Sequence, residues 1–376
     1  MVNQASVNLV RPMVSYRALA LGVEPVNLGF LSAAFAIAPL AVALRIGRLV
    51  DLKGEMVFIY GGTIMMGLVS LGLATVDSAG LVFVLFILLG LGHLSITVAI
   101  QGMVARGSDE RTYDQRFSAF SLSASVGQLI GPAIAGVVAG QGSVEETQRA
   151  LMIGGVIALA AVPLMAIVRS PVSARSTRKA SEGAPSLISI LRTPGVVRAI
   201  LVSTTVLSSI DIIVMYMPAL GEERLWPASL VGALLAIRAG SSMAMRLVLG
   251  RLAARFGRPI LLSVSMAVSA VAMIAIPFTF AVPVMVLLMV AAGAGLGIGQ
   301  PMTMSWVASL AAPGARATAL SVRLMGNRVG QVVLPIAAGT VAVVGGAAGV
   351  LGVTGAIVAI SLAGVYGGLK PAKPKD

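Results

Sequence analysis

The sequence predicts an all-α membrane protein in which twelve transmembrane helices form two pseudo-symmetric six-helix bundles. Three observations predict it. Of 376 residues, 57% are hydrophobic and 11% charged, with a mean hydropathy of +0.98, more apolar side chain than one water-soluble core can hide. Apolar runs of about 20 residues, the length a helix needs to cross ~30 Å of hydrocarbon, recur along the whole chain. Finally, the chain repeats itself. The pattern Gly127, Gln128, Pro132, Gly136 returns as Gly330, Gln331, Pro335, Gly339, displaced by 203 residues, and the same displacement maps Gly47 onto Gly250, Gly54 onto Gly257, Gly90 onto Gly293 and Gly92 onto Gly295.

Taken in order, the predicted spans are residues 1–20, 26–47, 56–76, 80–104, 117–140, 149–168, 199–220, 229–250, 259–279, 282–308, 317–343 and 347–367. The first is the most polar, holding Asn3, Gln4, Asn8 and Arg11, and aligning Tyr16 with Tyr216 leaves it short at its start, so that the true N-terminus is expected to lie upstream of Met1. The fifth carries Gly127, Gly131, Pro132 and Gly136. Proline inside a helix removes one backbone hydrogen bond, and glycines at this spacing let a neighbouring backbone approach, so this span is expected to be a bent packing surface. Residues 169–198, rich in Ser, Arg and Pro, read as a linker between an N-terminal bundle (1–168) and a C-terminal one (199–376).

Lys and Arg set the orientation. With the N-terminus in the cytoplasm, the inner side takes Arg48, Lys53, Arg106, Arg111, the basic residues of 169–198, Arg251, Arg255, Arg258 and the C-terminal lysines. The outer side receives Arg17, Arg149 and Arg224. Both termini are then cytoplasmic in a multi-pass protein of the plasma (inner) membrane. Trp226 and Trp306 fall at span ends, where amphipathic rings prefer the interface.

The net charge of +13 does not indicate nucleic acid, because the basic residues sit between apolar runs rather than on one face. With no cysteine and one histidine, His93, the chain offers neither thiolate chemistry nor a multi-histidine metal site, and no nucleophile and base stand together as an enzyme would need. Gly293, Gly295, Gly297 and Gly299 echo a dinucleotide fingerprint but lack its strand and acid, and read as close helix packing.

Ionisable residues deep in a bilayer are functional candidates, since each costs at least ~2.5–3.5 kcal/mol to insert. Asp211 is the one acid that qualifies. At ~1.5 Å rise per residue it lies ~18 Å from the inner end of its span, and Arg238 ~13 Å from the outer end of the next, nearly the same level. Arg238 is therefore the expected partner of Asp211, with Arg11 opposite in the other half. Asp211 either exchanges a proton for a substrate or forms a permanent ion pair that aligns two helices. Gln128 and Gln331 occupy matching sites and serve either a substrate or a facing helix. Asn327 shares a helix face with Arg323, which is placed to snorkel toward the inner side, leaving Arg328 as the better lining candidate. His93 either carries protons or makes a structural hydrogen bond.

These residues carry a family resemblance. Gly47-Arg48-Leu49-Val50-Asp51-Leu52-Lys53-Gly54 resembles the signature loop of the major facilitator superfamily, and Gly250 through Arg255, Phe256, Gly257 and Arg258 resembles its second copy. The fifth-span motif with Gly131-Pro132 resembles that of the drug:proton antiporter branches. Departures are Leu52 and Glu55 where basic residues are usual, Ala254 where the acid would stand, and a fourth span without the family's arginine. The resemblance implies a secondary transporter, not an enzyme, working by alternating access between two rocking halves. It implies that Asp51 docks on the start of the eleventh span, near Gly314 to Ala317, when the inner side closes. The expected activity is proton-coupled efflux of a small amphiphilic compound or drug; the alternative is transport of a small organic anion, because arginines outnumber acids in the membrane interior. Expected partners are the small-molecule substrate and membrane lipid, with no cofactor beyond a proton gradient, no metal, no nucleic acid, and a monomeric state.

Overall fold

A computed structural model describes residues 1–106, 113–165, 187–311 and 316–368. Among them the order is α1 (Val2–Ala20), α2 (Leu28–Lys53), α3 (Glu55–Thr75), α4 (Ala79–Arg106), α5 (Tyr113–Ala139), α6 (Val144–Met165), a short α7 (Leu187–Leu191), α8 (Val196–Glu223), α9 (Ala228–Phe256), α10 (Arg258–Ala275), α11 (Val282–Leu310), α12 (Arg316–Gly339) and α13 (Ala342–Gly368). Helices are what such apolar runs must form, because hydrocarbon offers no partner for an open N–H or C=O. Ten of these described helices are long and apolar enough to cross a membrane; α1 and α12 are not among them. Those two owe their polarity to Asn3, Gln4, Asn8 and Arg11 in one and Arg323, Asn327, Arg328 and Gln331 in the other.

Several boundaries differ from the sequence expectation. The stretches resembling signature loops are helix: Gly47–Lys53 completes α2 and Gly250–Phe256 completes α9. Each pair of helices is joined through one residue, Gly54 (φ 88°, ψ 151°) and Gly257 (φ 78°, ψ 149°). A left-handed φ is open to glycine without the steric penalty of a Cβ, so two repeat-related glycines make the same sharp corner. Arg149, assigned to the outer side, lies inside α6, which begins at Val144. The span expected at 317–343 ends at Gly339, and α13 bends at Gly346 (φ 58°), where Glu223 accepts the Ala347 N–H at 2.6 Å. Of the expected linker, residues 169–186 lie outside the described residues; the remainder holds α7, and α8 starts at Val196. Trp306, four residues before the end of α11, is buried against its neighbours.

The repeat in the sequence is a repeat in space. Gly90 abuts the backbone of Phe35, and Gly293 abuts that of Arg238 in the same way; Gly92 meets Gly62 and Met66, as Gly295 meets Ser265 and Ser269. Every partner in the second half stands 203 residues after its counterpart. The glycines of α5 divide their work. Gly127 and Gly131 dock on α1, whereas Gly136 crosses to the other half and packs on Gly232 and Ser229 of α9. Its counterpart Gly339 packs on Gly29 and Val26, so one crossing contact is made twice. The halves touch through α5 with α9, α2 with α12, and α1 with α8.

These contacts lie toward the end that holds the turns at 21–27, 140–143, 224–227 and 340–341. There Leu31–Ala36 of α2, Leu234–Ala236 of α9 and Ala135–Gly136 of α5 are buried. At the opposite, basic end Arg48, Leu49 and Leu52 of α2, Ser121 and Leu122 of α5, and Leu247, Arg251 and Arg255 of α9 are exposed. The tightest contacts between the halves are thus made at the end that holds these turns. At that end Arg17 donates to the Val76 carbonyl and to Asp77 (both 2.6 Å), and Arg224 donates to the Ile276 carbonyl (2.8 Å) and to that of Thr279. Thr279 is the repeat counterpart of Val76, so in each half an arginine at the end of the first helix ties down the same turn.

Candidate functional site

Arg11 and Asp211 meet where α1 passes α8. Arg11 Nη1 lies 2.7 Å from Asp211 Oδ1, with side chains only 10% and 7% exposed. The two residues are 200 apart, the displacement that relates Tyr16 to Tyr216, as are Ser15 and Met215, which also touch. Each therefore occupies its partner's position in the other half, and the ion pair sits on the pseudo-twofold axis. This corrects the expected pairing of Asp211 with Arg238: the helix level was right, but the facing helix is α1.

Asp211 is fully engaged. Its second oxygen accepts Gln331 Nε2 at 2.5 Å, and Gln331 Oε1 accepts Arg328 Nη1 at 2.9 Å. On the other side the Arg11 guanidinium covers the Phe35 ring at 4.7 Å, and that ring packs on His93 with centroids 5.6 Å apart. His93 Nε2 stands 3.2 Å from Gln4 Nε2. A continuous line of contacts thus runs from α4 through α2 and α1 to α8 and α12. A cavity of about 650 Å³, lined among others by Gln4, His93, Thr97, Ile100, Phe120 and Met165, adjoins its α4 end.

Arg238 is 5% exposed, its Nε is buried without a partner, and no hydrogen bond or ion pair reaches its terminal nitrogens among the described residues. Two turns further along α9, Arg246 donates to Ser125 Oγ of α5 at 2.8 Å and to the Gly297 carbonyl at 3.2 Å.

These features sit on a duplicated helical frame whose sequence can be compared with known proteins. The profile of the Major Facilitator Superfamily matches residues 1–225 and, again, 200–376. The chain belongs to this superfamily. It is accordingly a multi-pass membrane transporter and not an enzyme. Among curated proteins none matches it by sequence. Solved structures of similar fold include a mutant form of the nucleoside transporter NupG (13% identity, TM-score 0.80, 98% of each chain covered) and a D-xylose-proton symporter (13%, 0.80, 99% of this chain and 97% of the other). A POT family transporter in complex with a thioalcohol-conjugated peptide is also similar (14%, 0.76, 96% and 92%).

Within this superfamily transporter the remaining candidates fall in three places. Asn327 is buried and accepts a hydrogen bond from Thr204 within its own half (3.3 Å), and Gln128 is half-buried on α5. Arg323 does not snorkel: it is 4% exposed and donates to the Gln300 carbonyl and to Thr303 Oγ1, both at 3.1 Å, because α11 supplies acceptors at that level. Lys53, Gly250, Arg255 and Arg258 lie at the basic end, remote from the Arg11–Asp211 pair, and Gly47 has open space beside it. The expected docking of Asp51 near residues 314–317 lies outside the described residues. Sequence reasoning missed Phe35, Arg246, Ser125 and Gln4 as site residues. Arg246 was detectable as a second arginine within a predicted span, and Phe35 as the residue 203 positions before Arg238.

Proposed function

We propose that this transporter moves a small organic anion by alternating access, the two halves rocking about the Arg11–Asp211 axis. One observation carries the reading. Mid-membrane, Asp211 has both oxygens occupied by Arg11 and Gln331, while Arg238, Arg246 and Arg328 add positive charge that no second acid balances among the described residues. A permanent cationic excess in a low-dielectric crevice attracts anions and repels cations. The tight seam between the halves at Gly136, Gly232, Gly29 and Gly339 supplies the seal.

Proton-coupled drug efflux is favoured only by the Gly131-Pro132 resemblance, and the glycines around that dipeptide are accounted for by packing on α1 and α9. The test is flux into sealed proteoliposomes of purified protein, with an imposed pH gradient and a panel of organic anions and lipophilic cations. Saturable flux of at least one anion, without flux of cations, is the expected result. Cation flux with no anion flux would overturn the proposal.

A further inference from the structure

The two halves place different residues at one repeated position. Phe35 and Arg238 are related by 203 residues, and each has its backbone pressed against a glycine, Gly90 or Gly293, that leaves no room for a Cβ. In the first half an aromatic ring fills the position and stacks on Arg11. In the second the position holds a guanidinium, within electrostatic reach of Asp211, Arg11 and Arg246, that nothing in the described protein bonds. Asp211 does not bond it: Oδ1 accepts from Arg11 and Oδ2 from Gln331. A buried arginine left without a bonded partner is costly, and an apolar residue works at the equivalent position, so the arginine is not there for packing.

We infer that Arg238 is the anchor for the anionic headgroup of the transported molecule, a carboxylate or phosphate received by the unpartnered guanidinium. The inference rests on the anion reading above and adds the residue and the headgroup chemistry. A guanidinium presents parallel N–H donors that match two oxygens of such a group, which a lysine ammonium does not. Along α9, Arg238 stands between Gly232, which packs on Gly136, and Arg246, which bonds Ser125 of α5, so it lies at the contact between the halves that alternating access must part.

The experiment measures binding of benzoate, phenyl phosphate and neutral benzyl alcohol to the purified full-length protein by titration calorimetry, alongside its melting temperature without ligand. The protein is compared with Arg238→Met and Arg238→Lys. Benzoate or phenyl phosphate is expected to bind saturably and benzyl alcohol not; the preferred compound tells carboxylate from phosphate. Arg238→Met is expected to weaken binding at least tenfold while melting, without ligand, at or above the wild-type temperature, because it removes an uncompensated buried charge. Arg238→Lys is expected to fall between the two in affinity. A methionine variant that melts well below wild type or fails to fold would show that Arg238 has a structural partner and overturn the inference. Unchanged affinity in Arg238→Met overturns the anchor and leaves the anion reading standing. Failure of both oxyanions to bind the wild type overturns both.

Discussion

The two halves share a backbone and differ in chemistry. Repeated glycines hold both bundles to one geometry, so that Gly90 on Phe35 and Gly293 on Arg238, or Gly136 on Gly232 and Gly339 on Gly29, are the same contact made twice. At the centre the side chains diverge. The first half contributes Phe35, His93 and Gln4, aromatic or neutral and polar, with Arg11 as its cation; the second contributes Asp211, Arg238, Arg246, Arg328 and Gln331. Duplication fixes where a side chain can stand, and divergence then decides its charge.

The comparison predicts its largest effect at the axis. Asp211→Ala leaves Arg11 buried without a counter-charge, a loss of about 3–5 kcal/mol. Purified variant should melt far below wild type, and the exchanged pair Arg11→Asp with Asp211→Arg should regain most of the difference, because the two positions are equivalent. A swap no more stable than the worse single variant would break the symmetry argument. A smaller effect is expected at the closed seam. Gly232→Leu and Gly29→Leu introduce side chains where backbones meet, and both should reduce flux by more than tenfold. The chain has no native cysteine, so a single cysteine introduced beside the seam reports opening through its labelling rate. Unequal behaviour of the two glycine variants would show that the halves do not share the seam equally. The smallest effect belongs to the bridge between α5 and α9. Ser125→Ala removes one hydrogen bond to Arg246, worth about 1.5–3 kcal/mol if fully buried and less here. A melting curve within error of wild type would place that bond outside the stabilising contacts.

How much of this was legible beforehand can be traced residue by residue. The 203-residue displacement exposed the duplication, and the apolar runs located the long helices to within several residues. Asp211 and Arg11 stood out because ionisable groups are expensive in hydrocarbon. Their pairing did not, since depth along a helix gives a level but not an azimuth, and Asp211 had arginines at its level on two neighbouring helices. Arg323 was misjudged for the same reason. Its depth permits snorkelling, but acceptors on α11, the Gln300 carbonyl and Thr303, lie within reach and hold it inside. The signature stretches were read as loops because they resemble the superfamily's signature loop, yet a helix that emerges from the bilayer loses nothing by continuing, and Gly54 and Gly257 turn the chain.

The sequence by itself determined the class, the duplication and the stock of charged groups, because these depend on composition and spacing, which every conformation of the chain shares. Tertiary structure decided which charges neutralise one another, which arginine was left over, and at which end the halves seal. Those outcomes turn on the rotation of one helix about its axis relative to the next, and rotation is set by packing partners hundreds of residues away.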